Sequence, residues 1–134
     1  MTCTLHILYI EDHPASRKVM ELILTDIMGF ETVTMLDTTE NLSQQIEQLV
    51  PPISLVFTDL NINPIDGYSV CRILRSHEAY RTIPIVGVTA SLSPTEMRRM
   101  KDVGFSGVIT KPLNHSTFPM TVQRLLSGEV VWED

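Results

Sequence analysis

The chain has 134 residues, of which 43% are hydrophobic and 19% are charged, and this composition suits one globular domain with a core of its own. The net charge of −6 argues against direct binding to nucleic acid, and no apolar run approaches the roughly 20 residues of a membrane helix. The start of the chain lacks the features of a signal peptide, and Cys3 and Cys71 lack metal-ligand spacing. We therefore expect a cytoplasmic protein with reduced thiols that does not bind membranes.

Short apolar runs and helical patterns alternate along the whole chain. The apolar runs predict five strands, at residues 6–10, 30–36, 53–58, 83–88 and 107–110. Pro14 suits the first turn of helix 1, and the spacing of Val19, Leu22, Ile23 and Ile27 predicts that they form its core-facing side.

Capping residues predict where several helices begin and end. Ser93 can cap helix 4, with Pro94 in its first turn and Glu96 completing a capping box. Glycines are predicted to stop helices 1, 4 and 5 at Gly29, Gly104 and Gly128. The methionines on helix faces are predicted to pack in the core, namely Met20, Met28, Met97 and Met100.

The order of the segments is β-α repeated five times, which predicts a parallel sheet with helices on both faces. Five strands fit the flavodoxin-like, doubly wound α/β fold with strand order 2-1-3-4-5. We expect one domain over residues 1–128, and residues 129–134 as a tail or the start of a linker.

Ionisable and polar residues stand where the predicted strands end. Glu11 and Asp12 follow strand 1, Asp59 follows strand 3, Thr89 follows strand 4 and Lys111 follows strand 5. The carboxyl ends of neighbouring parallel strands meet at one edge of the sheet, so three carboxylates are expected to converge there. Their oxygens suit a hard cation such as Mg²⁺, with Mn²⁺ as an alternative.

These groups together predict a site for phosphoryl transfer. Asp59 would be the nucleophile, the cation and Lys111 would neutralise the phosphoryl oxygens, and Thr89 and the backbone N–H of Ala90 would donate hydrogen bonds. Each residue alone has a simpler interpretation: Asp59 or the acidic pair as residues at a helix start, Thr89 as an ordinary strand residue, and Lys111 as a solvated side chain.

The chain resembles the receiver domain of two-component response regulators over nearly its whole length. Thirty residues separate Asp59 from Thr89 and 22 separate Thr89 from Lys111, as in that family. The matching motifs are Glu11-Asp12, Asp59 with Asp66-Gly67 downstream, Thr89-Ala90 and Lys111-Pro112.

The resemblance implies a signalling switch rather than an enzyme that turns over a substrate. It implies that Asp59 accepts phosphate from a histidine kinase or a histidine phosphotransfer protein. Mg²⁺ would be held by Glu11, Asp12, Asp59 and the backbone carbonyl of Asn61. It further implies a downstream protein target, reached by a monomer or weak dimer. His13 is expected at the rim of the site.

The sequence departs from the family pattern at three places. The proline usually found four residues after the phosphoacceptor is replaced by Asn63, with Pro64 following. Val108 stands where an aromatic residue is common, so we expect a smaller or differently located output change. Asn61 and Ser91 lie at the positions that line the path of the hydrolytic water in the family, and they leave that path open.

Two other classes of function remain as alternatives. One is a pseudo-receiver that is not phosphorylated and acts as an interaction module. The other is a phosphatase or flavin carrier on a related fold. A phosphatase with an aspartyl nucleophile would be expected to carry Asp-x-Asp after strand 1, where Glu11-Asp12-His13 stands, and the two acids would repel the phosphate of a flavin.

Overall fold

Six parallel strands form one sheet in the order β2-β1-β3-β4-β5-β6. In this computed structural model, which describes residues 5–132, the strands are β1 (His6–Ile10), β2 (Thr32–Leu36), β3 (Leu55–Asp59), β4 (Ile85–Thr89), β5 (Gly107–Thr110) and β6 (Val131–Trp132). The helices are α1 (Pro14–Glu21), α2 (Leu42–Glu47), α3 (Gly67–Ser76), α4 (Pro94–Val103) and α5 (Phe118–Leu126). The α/β class and the order of the first five strands are confirmed.

The sheet separates two hydrophobic cores. Side chains alternate along β1, so that Leu8 and Ile10 join the core beneath α2, α3 and α4, while Ile7 and Tyr9 join the core beneath α1 and α5. Because both faces of the strand are covered, it appears in the sequence as a continuous apolar run rather than an alternating one.

The sixth strand corrects the predicted count of five. Residues 131 and 132 pair with β5 in parallel register, Gly107 with Val131 and Val108 with Trp132. They fall within the segment 129–134 that we expected to be a tail or linker, and residues 133–134 lie outside the described part. Two residues are too few to show a strand period, so the sequence carried no signal for this strand.

Helix α1 does not end at Glu21 but continues as a π-helical turn, Leu22–Ile27. The N–H of Met28 donates to the carbonyl of Ile23 at 2.9 Å, a five-residue separation instead of the four of an α-helix. The predicted core-facing side of this helix was wrong in part: Ile23 is buried, but Val19, Leu22 and Ile27 are exposed. Met20 and Leu24 are buried instead.

Most capping predictions are confirmed. Ser93 Oγ accepts from the backbone N–H of Glu96 at 3.1 Å, and Pro94 is the first residue of α4. Gly29, Gly104 and Gly128 have φ values of +79°, +116° and +98°, the left-handed conformation of a helix C-terminus.

The predicted packing residues lie where they were expected. Met20 and Met100 are buried, and Met28 and Met97 pack against the two cores. Cys71 is a buried free thiol on α3, whereas Cys3 lies outside the described residues. Within residues 5–132, none of the helices has the length and apolarity that crossing a membrane requires.

Candidate phosphoacceptor and metal site

The pairing of the strands brings the predicted site residues to one edge of the sheet. Strand β3 lies between β1 and β4, and β5 follows β4, so the residues at their carboxyl ends become neighbours. Glu11 stands directly after β1, Asp59 is the last residue of β3, Thr89 is the last residue of β4 and Lys111 stands directly after β5.

Three carboxylates converge as predicted. Glu11, Asp12 and Asp59 each offer an oxygen, and these oxygens all lie within 4.8 Å of one another. Glu11 is fully buried and Asp59 is 7% exposed, while Asp12 is exposed to solvent. Three carboxylates so close repel one another unless cations compensate them, and an all-oxygen donor set suits a hard divalent ion. The residues therefore fit a metal ion of the Mg²⁺ type.

Lys111 compensates part of this negative charge. Its Nζ lies 2.5 Å from Glu11 Oε1 and 3.2 Å from Asp59 Oδ2. Burial lowers the pKa of Lys111, but its hydrogen bond to Glu11 and the negative charges of Asp59 and Glu11 outweigh this effect, so the pKa is raised above its ordinary value. The Lys111 side chain is consequently a protonated ammonium that lies between Glu11 and Asp59.

Glu11 has further partners that sequence reasoning missed. The hydroxyl of Tyr9 donates to Glu11 Oε1 at 2.9 Å, and the backbone N–H of His13 donates to Oε2 at 3.3 Å. A guanidinium N–H of Arg17 donates to the backbone carbonyl of Glu11 at 2.8 Å. The one available signal was the position of Tyr9 two residues before Glu11, since alternate residues of a strand lie on the same side.

Asp59 is held on its second oxygen by the loop that follows it. The backbone N–H of Asn61 donates to Asp59 Oδ1 at 3.0 Å. Gly67 lies against the same backbone, because a Cβ at this position would stand 2.5 Å from the carbonyl oxygen of Asp59. This close approach explains why a glycine follows Asp66, whose side chain accepts from the N–H of Ser69 and caps α3.

Thr89 is at the predicted strand end, but its hydroxyl has a local partner. The hydroxyl donates to the backbone carbonyl of Ser91 at 2.8 Å, and its oxygen accepts from the backbone N–H of Ser91 at 3.3 Å. Ala90 is exposed beside it and, with Lys111 and Tyr9, lines an open cavity of about 510 Å³. Any other acceptor for the Thr89 hydroxyl would therefore compete with the carbonyl of Ser91.

The family comparison agrees with this geometry. Residues 7–123 match the family model of the response regulator receiver domain. The chain belongs to this family. The receiver therefore covers most of the chain, and all of the predicted strand-end residues lie within it.

Known proteins similar to this receiver include both kinases and single receivers. Sensor histidine kinase RcsC of Escherichia coli is 27% identical over 116 residues, which are 87% of this chain but only 12% of the kinase. Chemotaxis response regulator CheY4 of Vibrio cholerae has a TM-score of 0.81 at 22% identity, over 92% of this chain and 99% of its own.

A third similar structure holds an ion. The receiver of sensor histidine kinase PA1611 from Pseudomonas aeruginosa has a TM-score of 0.79 at 23% identity and covers 93% of this chain and 99% of its own. That structure has a magnesium ion coordinated in its active-site cleft.

The structure also shows the positions of the remaining residues singled out in the sequence. His13 is exposed at the start of α1, and its backbone N–H donates to Glu11. Val108 is fully buried in β5, opposite Trp132 of β6. The Asn63–Pro64 peptide is cis, and the Asn63 carbonyl accepts the N–H of Thr39, so this loop is tied to the residues that precede α2.

Proposed function

We propose that this receiver is a phosphoacceptor switch in which Asp59 takes up a phosphoryl group in a reaction that requires Mg²⁺. The single observation that carries the proposal is the position of the Lys111 ammonium, which contacts both Glu11 and Asp59 inside a cluster of three carboxylates. A lysine and a group of acids at this edge of the sheet supply the charges that phosphoryl transfer needs.

Glu11, Asp12, Asp59 and the backbone carbonyl of Asn61 would hold the metal ion. Mg²⁺ is the favoured ion and Mn²⁺ an alternative, since both prefer oxygen ligands. When bound, the ion neutralises charge that develops on the phosphoryl oxygens. The magnesium ion in the similar receiver of PA1611 supports this assignment.

The other residues position the acceptor and the transferred group. A carboxylate oxygen of Asp59 forms the new bond to phosphorus, while the bond from phosphorus to a histidine nitrogen of the donor breaks. Lys111 neutralises the transferred group, and Thr89 and the backbone N–H of Ala90 donate hydrogen bonds to it. Water later cleaves the acyl phosphate, so the domain promotes only its own phosphorylation and dephosphorylation.

The partners follow from this chemistry. We infer that the phosphate comes from a histidine kinase or a histidine phosphotransfer protein in the cytoplasm, and that the signal leaves through a contact with a downstream protein. We further infer that the domain, residues 1–128 together with the added strand β6, acts as a monomer or weak dimer and binds neither nucleic acid nor membrane directly. The chain spans about an eighth of the kinases it matches, such as the 12% for RcsC.

Intact-mass analysis after incubation with acetyl phosphate tests the proposal. We expect a gain of one phosphoryl group that requires Mg²⁺ and is lost in Asp59→Asn. The matched control is Asp66→Asn, which keeps a capping side chain on α3 and removes a charge close to the site. A gain that persists in Asp59→Asn contradicts the assignment of the acceptor. No gain in any condition favours the pseudo-receiver, an interaction module that is not phosphorylated.

A further inference from the structure

The carboxylate of Glu11 is held more firmly than a metal ligand at a strand end needs to be. It is fully buried, and its Oε1 accepts from two donors, the Tyr9 hydroxyl at 2.9 Å and Lys111 Nζ at 2.5 Å. Its Oε2 carries only the longer bond from the His13 N–H, at 3.3 Å. The two oxygens of one carboxylate are therefore in different environments.

The position of the Tyr9 hydroxyl is fixed by the fold. The residue is 1% exposed, its backbone pairs with Phe57 of β3, and its ring packs in the core beneath α1 and α5. The hydroxyl donates to Glu11 Oε1, and a phenol is an ordinary hydrogen-bond donor at neutral pH. The core and the sheet therefore hold the Tyr9 side chain beside Glu11.

We propose that Tyr9 is a positioning residue for the metal site: with Lys111 it holds Oε1 of Glu11 and leaves Oε2 as the oxygen offered to the cation. This proposal rests on the metal site proposed above. A glutamate has one more rotatable bond than an aspartate, and fixing that bond costs conformational entropy when the ion binds. A hydrogen-bond donor that orients the side chain before the ion binds removes this cost. Residues that bond to metal ligands without binding the metal generally act in this way.

The test removes one oxygen atom from the protein. Tyr9→Phe keeps the ring and its packing and deletes only the hydroxyl. We expect the affinity for Mn²⁺, measured by the EPR signal of the free ion, to fall by about tenfold. Phosphorylation by acetyl phosphate should correspondingly need a higher Mg²⁺ concentration to reach half of its maximal rate. Tyr80→Phe is the control, since it deletes a buried hydroxyl that is bonded to Ile53 N–H instead.

Measuring Tyr9→Phe in a second variant, Glu11→Asp, distinguishes a positioning role of Tyr9 from general damage to the site. In Glu11→Asp the carboxylate is one methylene shorter and loses its reach to the Tyr9 hydroxyl. Adding Tyr9→Phe to this variant should leave the Mn²⁺ affinity unchanged, which is the signature of two residues that act through one contact. The same tenfold loss in both backgrounds, or no loss in either, overturns the proposal.

The binding measurement keeps this inference distinct from the proposed function. Mn²⁺ binding that depends on Tyr9 supports the inference even if Asp59 is not phosphorylated, in which case only the proposed function fails. Phosphorylation of Asp59 with no effect of Tyr9→Phe on Mn²⁺ affinity overturns the inference alone. Wild-type protein that binds neither ion overturns both.

Discussion

Cys71 shows what burial does to one ionisable group. The thiol lies fully buried on α3, and burial raises its pKa to about 11, although the charges of Arg75 and Arg72 act in the opposite direction. In the unfolded chain a cysteine has a pKa near 8.5. The Cys71 thiol therefore stays protonated in the folded protein over a range of pH in which it ionises in the unfolded chain.

This difference predicts a loss of stability at alkaline pH. Between about pH 8.5 and pH 11 the unfolded state binds fewer protons than the folded state, so the free energy of unfolding falls by up to about 1.4 kcal/mol per pH unit. Below pH 8.5 the contribution of Cys71 is fully present. Urea unfolding at several pH values measures the slope, in a Cys3→Ser background so that one thiol remains.

The control for this prediction is Cys71→Ala in the same background. It should lose this part of the pH slope while being somewhat less stable at neutral pH. Equal slopes in the two proteins would show that other groups cause the alkaline loss. A thiol reagent at pH 8 should also leave Cys71 unmodified in the folded protein.

Single residues also show how far the sequence could predict the site. The strand-end positions of Glu11, Asp59 and Lys111 followed from strand boundaries alone, because the ends of parallel strands meet. The hydrogen bond from Tyr9 to Glu11 could not be predicted, since it depends on the ring's exact depth in the core. The hydrogen bond from Thr89 to Ser91 could not be predicted either. A hydroxyl can donate to any of several nearby acceptors, and the sequence does not give their positions.

Arg75 connects secondary-structure elements through their free carbonyl groups. From the last turn of α3 its guanidinium donates to the carbonyl of Gly104 at 2.9 and 3.1 Å, and to those of Tyr80 and Ile83 at 3.0 and 2.7 Å. The three carbonyls belong to the end of α4 and to the segment between α3 and β4. One side chain thus connects two chain segments to α3, and burial lowers the pKa of its guanidinium.

Replacing this arginine should destabilise the fold strongly. Arg75→Met keeps an unbranched apolar stem and removes all the donors, leaving partly buried carbonyls without partners. We expect a loss of about 3 kcal/mol in the free energy of unfolding, measured by urea denaturation. The matched control is Arg72→Met, on the exposed side of the same helix, which should cost less than about 0.5 kcal/mol. Similar losses in the two variants would contradict this role.

For helices and strands, the sequence predicted which elements exist and in what order. It predicted less well which side of a helix faces the core. All five helices were expected, and Gly104 correctly ended α4. The core-facing side of helix 1 was partly wrong because the prediction assumed an α-helical period throughout. The π-helical turn breaks that period before Ile27, whereas Val19 lies in the α-helical part, where the neighbouring Met20 is buried instead.

The last strand affects the molecule as a whole, because it extends the sheet over the edge of β5. Gly107 makes this contact possible, because a Cβ at this position would clash with the backbone oxygen of Val131. Trp132 packs on the core near α4, with Lys101 Nζ 5.0 Å from its ring centroid. The described end of the chain is thus attached to the face formed by α4 and β5.

We expect Gly107→Ala to detach β6 while leaving the five-stranded sheet folded. Trp132 is the one tryptophan of the sequence, so its fluorescence reports this contact, and its emission should shift to longer wavelength in the variant. The free energy of unfolding should fall by about 1–3 kcal/mol. In a chain shortened after Gly128, the same substitution should lower the free energy of unfolding much less. That chain lacks the Val131 backbone with which the added methyl group would clash. An equal loss of free energy of unfolding in the two chains would show that Gly107→Ala acts through a contact other than that with Val131.

The π-helical turn of helix 1 has a consequence for comparing sequences. A π turn contains one residue more than the α turn it replaces, yet the chain re-enters the fold at Gly29 and β2 in the usual way. We therefore expect an alignment to place a one-residue insertion within Leu22–Ile27. Relatives whose first helix is α-helical throughout should show a gap there, and Met28, rather than Ile27, then aligns with their last core-facing position.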